Sequence, residues 1–511
     1  MIQCRKNIFL KQVFRTEIPF NRVFSCKKAG SVIAKCIFFI GCLTLSGCLV
    51  GPDYQESSIL MPANWLTISK QTPAQPAALA GWWRRLNDPL LDKLINEAII
   101  SNTDVASAKA RVREARASLR QSTGTLFPLL NGSAAASRNR ANGGPEGNRY
   151  SAGVDSSWEI DLFGANRRAI EAAGYGLDAA EEDLRATMVT LIGDIATNYV
   201  EARGLQTQIA LARKSAVAQR NTAVLMNKKF AAGDASALDV NNANGQASST
   251  EANIPRLEMQ LAAATHRLSV LTGSAPLAVN QILTKSGKIP TPKWPIPMGI
   301  PADILLTRPD IRMAERRYAQ STAKIGQREA ERYPALTLTG NIATAAAKAG
   351  DLGRNSTIGW SLGPGLSIPV FQGGQRIAAV EIARAQRDQS FIAYRAAILT
   401  ALEEVENALV ALGKDRTSAN KLDESTRAYA KSLELARSLY ESGNTSFLEL
   451  LTAERSHYAA EQSYIDSRVT ITKDYIALMK ALGGGWDGVV NVSRPEIVDT
   501  NTGPHIRKKI P

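Results

Sequence analysis

Beyond residue 48 the chain contains no cysteine. All five cysteines stand in the first tenth of its 511 residues, at Cys4, Cys26, Cys36, Cys42 and Cys48. A disulfide scaffold, a CxxC redox centre and a cysteine-ligated zinc are therefore excluded from the main body. Histidine is almost as scarce: His266, His457 and His505 lie far apart, without HExxH or metal-ligand spacing. There is no GxxxxGK phosphate loop, and Gly483-Gly484-Gly485 runs into Trp486 instead of a nucleotide fingerprint. Nothing pairs the serines and aspartates with a poised base, so neither catalysis nor a cofactor is expected. Aromatics are only 6%. With 44% hydrophobic and 21% charged residues, the chain is neither disordered nor a polytopic helical membrane protein.

The formal charge of +14 hints at nucleic acid or an anionic surface until its location is considered. Residues 1–47 hold eight Lys or Arg residues against the single acid Glu17, and the apolar run Ile37 to Leu45 follows. A basic region, a short apolar stretch and small residues at the cut describe a secretory signal. The stretch is too short to span a bilayer as a helix. Leu45-Ser46-Gly47-Cys48 resembles the bacterial lipobox, which would make Cys48 the acylated first residue of the mature protein; the alternative is an ordinary signal peptide with a chance cysteine. Leu49 follows, with no Asp there to suggest inner-membrane retention. Without residues 1–47 the chain keeps 53 basic and 46 acidic residues, so half the net charge was a targeting device. Nucleic acid is not an expected partner, and Arg507-Lys508-Lys509 reads as a solvated end.

An offset of 206 to 210 residues aligns the two halves. Asp104-Val105 matches Asp310-Ile311, and Phe127-Pro128 matches Tyr333-Pro334. Gly233 and Leu238-Asp239 match Gly443 and Leu448-Glu449, and Leu271-Thr272-Gly273 matches Ala481-Leu482-Gly483. Each half holds a pair of strands. From Tyr150 to Leu162 one parity is apolar (Val154, Trp158, Ile160) and the other polar (Asp155, Ser157, Glu159, Asp161), and Ile358 to Val370 alternates in the same way. Weaker partners precede them near Leu129–Ser137 and Ala335–Ala345. Strands of this length suit a transmembrane barrel, although a soluble sandwich shares the pattern. Four strands cannot close a membrane barrel, for which about eight is the minimum, and an open edge in lipid is prohibitively costly, so a spanning sheet demands an oligomer.

The rest reads as helix. From Gly164 to Lys229 there is no proline, and apolar residues recur every seven: Leu177, Leu184, Leu191, and again Met188, Ile195, Ala202, Ile209, Ala216. Phe391, Ile398, Val405 and Leu412 repeat the step between Gly374 and Tyr440. At 1.5 Å per residue such helices reach roughly 100 Å. Shorter helices return over Ser236–Leu271 and Ser446–Leu482, with Pro255 expected to kink the first. The turns between them, 231–235 and 441–445, lie at the far ends, with Ser236 and Ser446 as helix caps.

Several motifs now combine: the lipobox with Val50-Gly51-Pro52-Asp53-Tyr54, Trp82-Trp83, Trp158-Glu159-Ile160-Asp161-Leu162-Phe163-Gly164, Ile254-Pro255-Arg256-Leu257, Arg308-Pro309-Asp310-Ile311-Arg312 and Ile368-Pro369-Val370-Phe371-Gln372-Gly373-Gly374. In order and over essentially the whole mature chain, this set resembles the NodT-type, TolC-like outer-membrane efflux lipoproteins. The resemblance implies a mainly α chain with a transmembrane β portion and an internal two-fold repeat. Three copies would form a homotrimer with a 12-stranded outer-membrane β-barrel, four strands per chain, joined to a long periplasmic α-helical barrel. The segments would be a signal peptide (1–47), lipid anchor and N-terminal equatorial stretch (48–88), first repeat (89–273), Pro-rich equatorial linker (274–303), second repeat (304–483) and equatorial tail (484–511). Such proteins are passive exit ducts for small molecules in tripartite pumps, working with a periplasmic membrane-fusion adaptor and an inner-membrane resistance-nodulation-division (RND) transporter. A type I protein-secretion duct and a non-pore periplasmic coiled-coil lipoprotein remain as alternatives.

The resemblance also carries site residues. Acids just after the tip turns would ring the periplasmic aperture, at Asp239 and Glu449. One helical turn on, where the family often has a second acid, stand Asn242 and Thr452. Both acids equally suit a plain first-turn role at a helix N-terminus. Asp234 and Asn444 are the expected adaptor contacts at the tips, although turn formation alone would explain them. Asp155, Glu159 and Asp161 are expected on the lumenal strand face.

Overall fold

The computed structural model describes residues 49–56, 77–140, 143–276, 278–283, 285–293, 302–486 and 491–492. The signal segment, Cys48, residues 294–301 of the linker and residues 493–511 of the tail lie outside the described residues. From Leu49 onward the chain forms one compact unit.

A short helix, Ala77–Ala80, and a 3-10 turn, Trp82–Leu86, precede helix α1, Pro89–Ser101. Asp88 starts α1 by accepting from Leu90 N and Leu91 N, and Pro89 supplies a preset φ at the first helical position. Helix α2, Thr103–Gly124, leads into strands β1, Leu129–Asn139, and β2, Gly147–Ile160. Helix α3, Ala165–Ala231, then runs 67 residues and α4, Ala237–Leu271, returns 35. The order recurs: α5, Pro309–Ala330; β3, Ala335–Ala346; β4, Ile358–Ser367; α6, Gln375–Glu441, of 67 residues; α7, Phe447–Ala481, of 35.

The four strands form one antiparallel sheet in chain order. Its register aligns Gly132, Val154, Ile342 and Trp360 in one row and Asn131, Asp155, Asn341 and Ser361 in the next. Alternation therefore puts an apolar row and a polar row on opposite faces. Trp360 is 77% exposed, and Leu130, Ile342, Leu362 and Leu366 on its face are exposed too. On the other face Ser361 donates to Asn341 at 2.9 Å. Strands β1 and β4 leave their outer edges unpaired within the chain.

Two strands stop earlier than alternation suggests. Strand β4 ends at Ser367, ahead of Pro369, which has no amide to extend a ladder. Strand β2 ends at Ile160, and the sequence expectation for Asp161 needs correction. Its buried carboxylate turns back to accept from Arg167 N at 2.9 Å and pairs with the Arg167 guanidinium, so it starts α3 instead of lining the polar face. Asp155 and Glu159 do lie within β2 on the polar parity.

The seven-residue steps mark real seams. Leu184, Met188, Leu191, Ile195, Ala202, Ile209 and Ala216 are buried along α3, as are Ile398, Val405 and Leu412 along α6. Leu177 and Phe391, at the strand-proximal ends of these rows, are only partly buried. Helix α4 continues unbroken through Pro255. Most of the largest fully buried side chains share one core, with Trp82, Leu91, Leu94 and Ile95 beside Ile192, Ile195, Tyr199 and Tyr475. Tyr475 meets Trp82 edge-on at 5.8 Å and donates to the Trp82 carbonyl at 3.1 Å, and burial pushes its phenol up to about 12.

Candidate functional site

The two hairpin tips are built on the same backbone. At the first, Gly233 N donates to Phe230 O and Asp234 N to Lys229 O; at the second, Gly443 N donates to Tyr440 O and Asn444 N to Leu439 O. This paired closure requires a left-handed residue, and the glycines supply it with φ of 86° and 75°. Asp234 and Asn444 are both exposed, and Asn444 Nδ2 also donates to Ser442 Oγ at 3.0 Å. Below the turns the tips pack together through Ala223, Met226, Phe447, Leu450 and Leu451. Tyr440 adds a contact to Met226 Sδ at 3.3 Å, with Lys229 over its ring.

The first acid of each returning helix is placed alike but employed differently. Asp239 N donates to Ser236 Oγ at 3.1 Å, and the Asp239 carboxylate accepts from Ser236 N at 3.2 Å and Ser236 Oγ at 2.7 Å, a complete capping box. Glu449 N donates to Ser446 Oγ at 3.3 Å. Its exposed carboxylate takes no hydrogen bond or ion pair from the described residues. Thr452 is exposed and donates back to Leu448 O at 2.7 Å, while Asn242 is half-buried. One turn deeper, Glu454 is buried; burial raises its carboxyl, and the Arg437 ion pair at 3.4 Å only partly offsets this.

At the other end of each hairpin, sequence reading passed over a second set of polar groups. Arg308, just ahead of α5, donates to Ala481 O at 2.6 Å and pairs with Asp310 at 2.7 Å and Glu404 at 2.9 Å. Burial works against its charge, but the Asp310 and Glu404 contacts outweigh it and hold the guanidinium above its usual value. Arg308 borders a cavity of about 630 Å³ together with Glu404, Asp474 and Lys480. Asp474 Oδ2 is buried there without a donor. Burial and the neighbouring Asp415 carboxyl raise Asp474 to about 7, so below that pH a proton between the two carboxyls would satisfy the pair. The signal that could have found this cluster was the Arg308-Pro309-Asp310 run, read for family resemblance but not for its buried arginine. No group of three or more metal-ligating side chains occurs among the described residues.

A long helical pair on a four-stranded, open-edged sheet can be compared with known proteins. The family model described as "Outer membrane efflux protein" matches residues 94–274 and 300–484. Nodulation protein T of Rhizobium leguminosarum bv. trifolii is 33% identical over 456 residues, 88% of this chain and 96% of that protein. The cation efflux system protein CusC of Escherichia coli K12 is 31% identical over 463 residues, 88% and 99% of the two chains. Among solved structures, the outer-membrane channel OprN superposes with a TM-score of 0.79 at 31% identity, covering 86% of this chain and all of that one. The chain therefore belongs to the outer membrane efflux protein family and is an outer-membrane channel protein that extends into the periplasm.

Proposed function

We propose that three copies of this chain, each an internal two-fold repeat, close a 12-stranded barrel and a 12-helix periplasmic tube that serve as the passive exit duct of a tripartite efflux pump. One observation carries the reading. The sheet exposes an apolar face, keeps a polar face behind it and leaves both edges unpaired. In lipid each unpaired edge is prohibitively costly, and symmetric copies joining β1 to β4 remove every edge. A non-pore coiled-coil lipoprotein has no use for such strands. The channel would be tested by heat-modifiable trimeric migration from outer-membrane fractions and by conductance in planar bilayers. A monomer without conductance would overturn the proposal.

The cargo in this reading is small molecules, chosen by an inner-membrane RND-type transporter and handed on through a periplasmic membrane-fusion adaptor. A relative named for cation efflux supports small solutes over secreted proteins. Asp234 and Asn444 meet the adaptor at the tips. Glu449 rings the periplasmic aperture with its free carboxylate, joined by Asp239, Asn242 and Thr452. Cys48 carries the lipid anchor, and no other cofactor is required. Replacing Glu449 with Ala should lower single-channel cation selectivity, because converging carboxylates concentrate cations at a constriction. An unchanged permeability ratio would remove Glu449 from the aperture.

A further inference from the structure

Leu49 to Tyr54 belong to no helix or strand, yet they are fixed at almost every residue. Val50 N donates to Phe163 O at 3.2 Å. Arg168, in the first turn of α3 and only 1% exposed, donates to Val50 O at 3.2 Å, Gly51 O at 3.1 Å and Asp53 Oδ1 at 2.7 Å. Its Nη1 donates to Glu171 at 2.6 Å. Burial opposes the charge, and Glu171 and Asp53 overcome it. Tyr54 ends the segment, donating to Glu315 at 2.7 Å and meeting Tyr175 and Tyr318 edge-on.

The fit leaves no room for a methyl group. A Cβ at Gly51 would stand 2.3 Å from Gly326 Cα, one at Gly326 2.7 Å from Arg168 Nε, and one at Gly164 2.4 Å from Leu49 Cδ1. Gly326 lies inside helix α5, where alanine would ordinarily be favoured by about 1 kcal/mol. With four of its five N–H donors taken up by main-chain carbonyls and paired acids, this buried guanidinium is committed to its own chain, so its use is positional.

The location gives the positioning a purpose. Phe163 follows β2 by three residues and stacks at 4.7 Å on Tyr333, two residues before β3. Phe127, two before β1, and Phe371, four after β4, are strongly exposed, at 67% and 88%. In an antiparallel meander these four positions mark the same end of all four strands, and an aromatic ring at strand ends is the mark of a membrane–water boundary. We infer that Arg168 is a positioning residue that fixes the mature N-terminus at this aromatic end of the sheet. Acyl chains on Cys48, one peptide bond before Leu49, then enter the bilayer beside the strands they accompany. The inference rests on the lipid-anchor reading of Cys48.

The test is a double-mutant cycle on the full-length precursor, comparing wild type, Gly326→Ala, Cys48→Ser and the double variant. The readouts are the heat-modifiable trimer in outer-membrane fractions and metabolic labelling with radioactive palmitate. Gly326→Ala should keep its palmitate label but lower the trimer by on the order of tenfold, since it evicts a buried charge-assisted contact. In the Cys48→Ser background it should cause no further loss. Equal losses in both backgrounds, or no loss in either, would overturn the positioning role. Unlabelled wild type would instead overturn the lipid reading. Arg168→Met should behave as Gly326→Ala does, and Arg168→Lys should rescue only in part, because one ammonium cannot reach four acceptors on separate residues.

Discussion

At the base of the α3–α4 hairpin, Asn102 donates to Leu271 O at 2.9 Å, and its Oδ1 receives Asp104 N and Val105 N. At the base of the α6–α7 hairpin, 206 positions on, Arg308 donates to Ala481 O, with the same extended backbone: φ and ψ of −62° and 132° against −65° and 135°. Arg308 seats against the left-handed Gly483, whereas the left-handed Gly273 faces Ser101, one residue before Asn102. The neutral version caps its own helix and stops there. The ionic version also reaches Glu404 on α6, tying three helices together. One backbone plan thus accepts two chemistries, and the charged one couples more of the molecule.

The largest difference should appear when each clamp is removed. Arg308→Ala leaves the Ala481 carbonyl without its donor and returns two half-exposed carboxylates to water, a loss of about 2–3 kcal/mol. Asn102→Ala loses a cap and one hydrogen bond, about 1–2 kcal/mol. The unfolding temperature of the protein purified in detergent should therefore fall further for Arg308→Ala. Equal shifts would mean that Glu404 contributes nothing to the second clamp.

These clamps also mark where sequence legibility ended. The seams at Ile195 and Val405 and the strands' two faces were readable because a seven-residue or two-residue period is a one-dimensional trace of burial. Asp161 was misread because parity continues on paper past Ile160, whereas the chain stops extending when a carboxylate can satisfy the amide of Arg167. Arg308, Glu404 and Asp474 come from three separate helices, and no period in one segment records a meeting of three. Arg168 is similar: Val50-Gly51-Pro52-Asp53-Tyr54 was recognisable as a motif, but the residue that holds it lies 115 positions or more away.

Deeper in the hairpins the halves diverge again. The 210-residue offset that relates α3 to α6 sets Leu205 and Ala264, both buried, against Asp415 and Asp474. Two buried apolar positions in one half are a carboxyl pair in the other. Asp474 is raised from 3.8 to about 7 by burial and by Asp415. A raised folded-state value means that the protonated pair stabilises the fold fully below about pH 4 and that this support is lost as pH climbs to about 7. Glu454, also raised by burial, acts in the same direction. Arg308, Lys480 and Glu404 share the cavity with Asp474, but burial and Asp415 set its shift. Wild type should lose on the order of a few degrees in unfolding temperature between pH 5 and 8, and Asp474→Asn should flatten that slope. An unaltered slope would place the titration elsewhere.

The smallest stability effects, and the cleanest contrast, belong to the tips. Asp239 uses its carboxylate to complete a capping box, whereas Glu449 leaves its own free. Asp239→Ala should therefore cost about 0.5–1 kcal/mol through the lost cap. Glu449→Ala, which keeps the Ser446 cap, should change stability by no more than a few tenths of a kcal/mol, the scale of a first-turn acid on a helix dipole. Conductance should reverse the ranking, since a carboxylate already accepting two hydrogen bonds presents less of its charge to a passing ion than a bare one. Measuring both variants by both methods separates cap from filter. If Asp239→Ala altered cation selectivity as much as Glu449→Ala, the capping box would open in the assembled channel, and the two tips would be equal in function as well as in backbone.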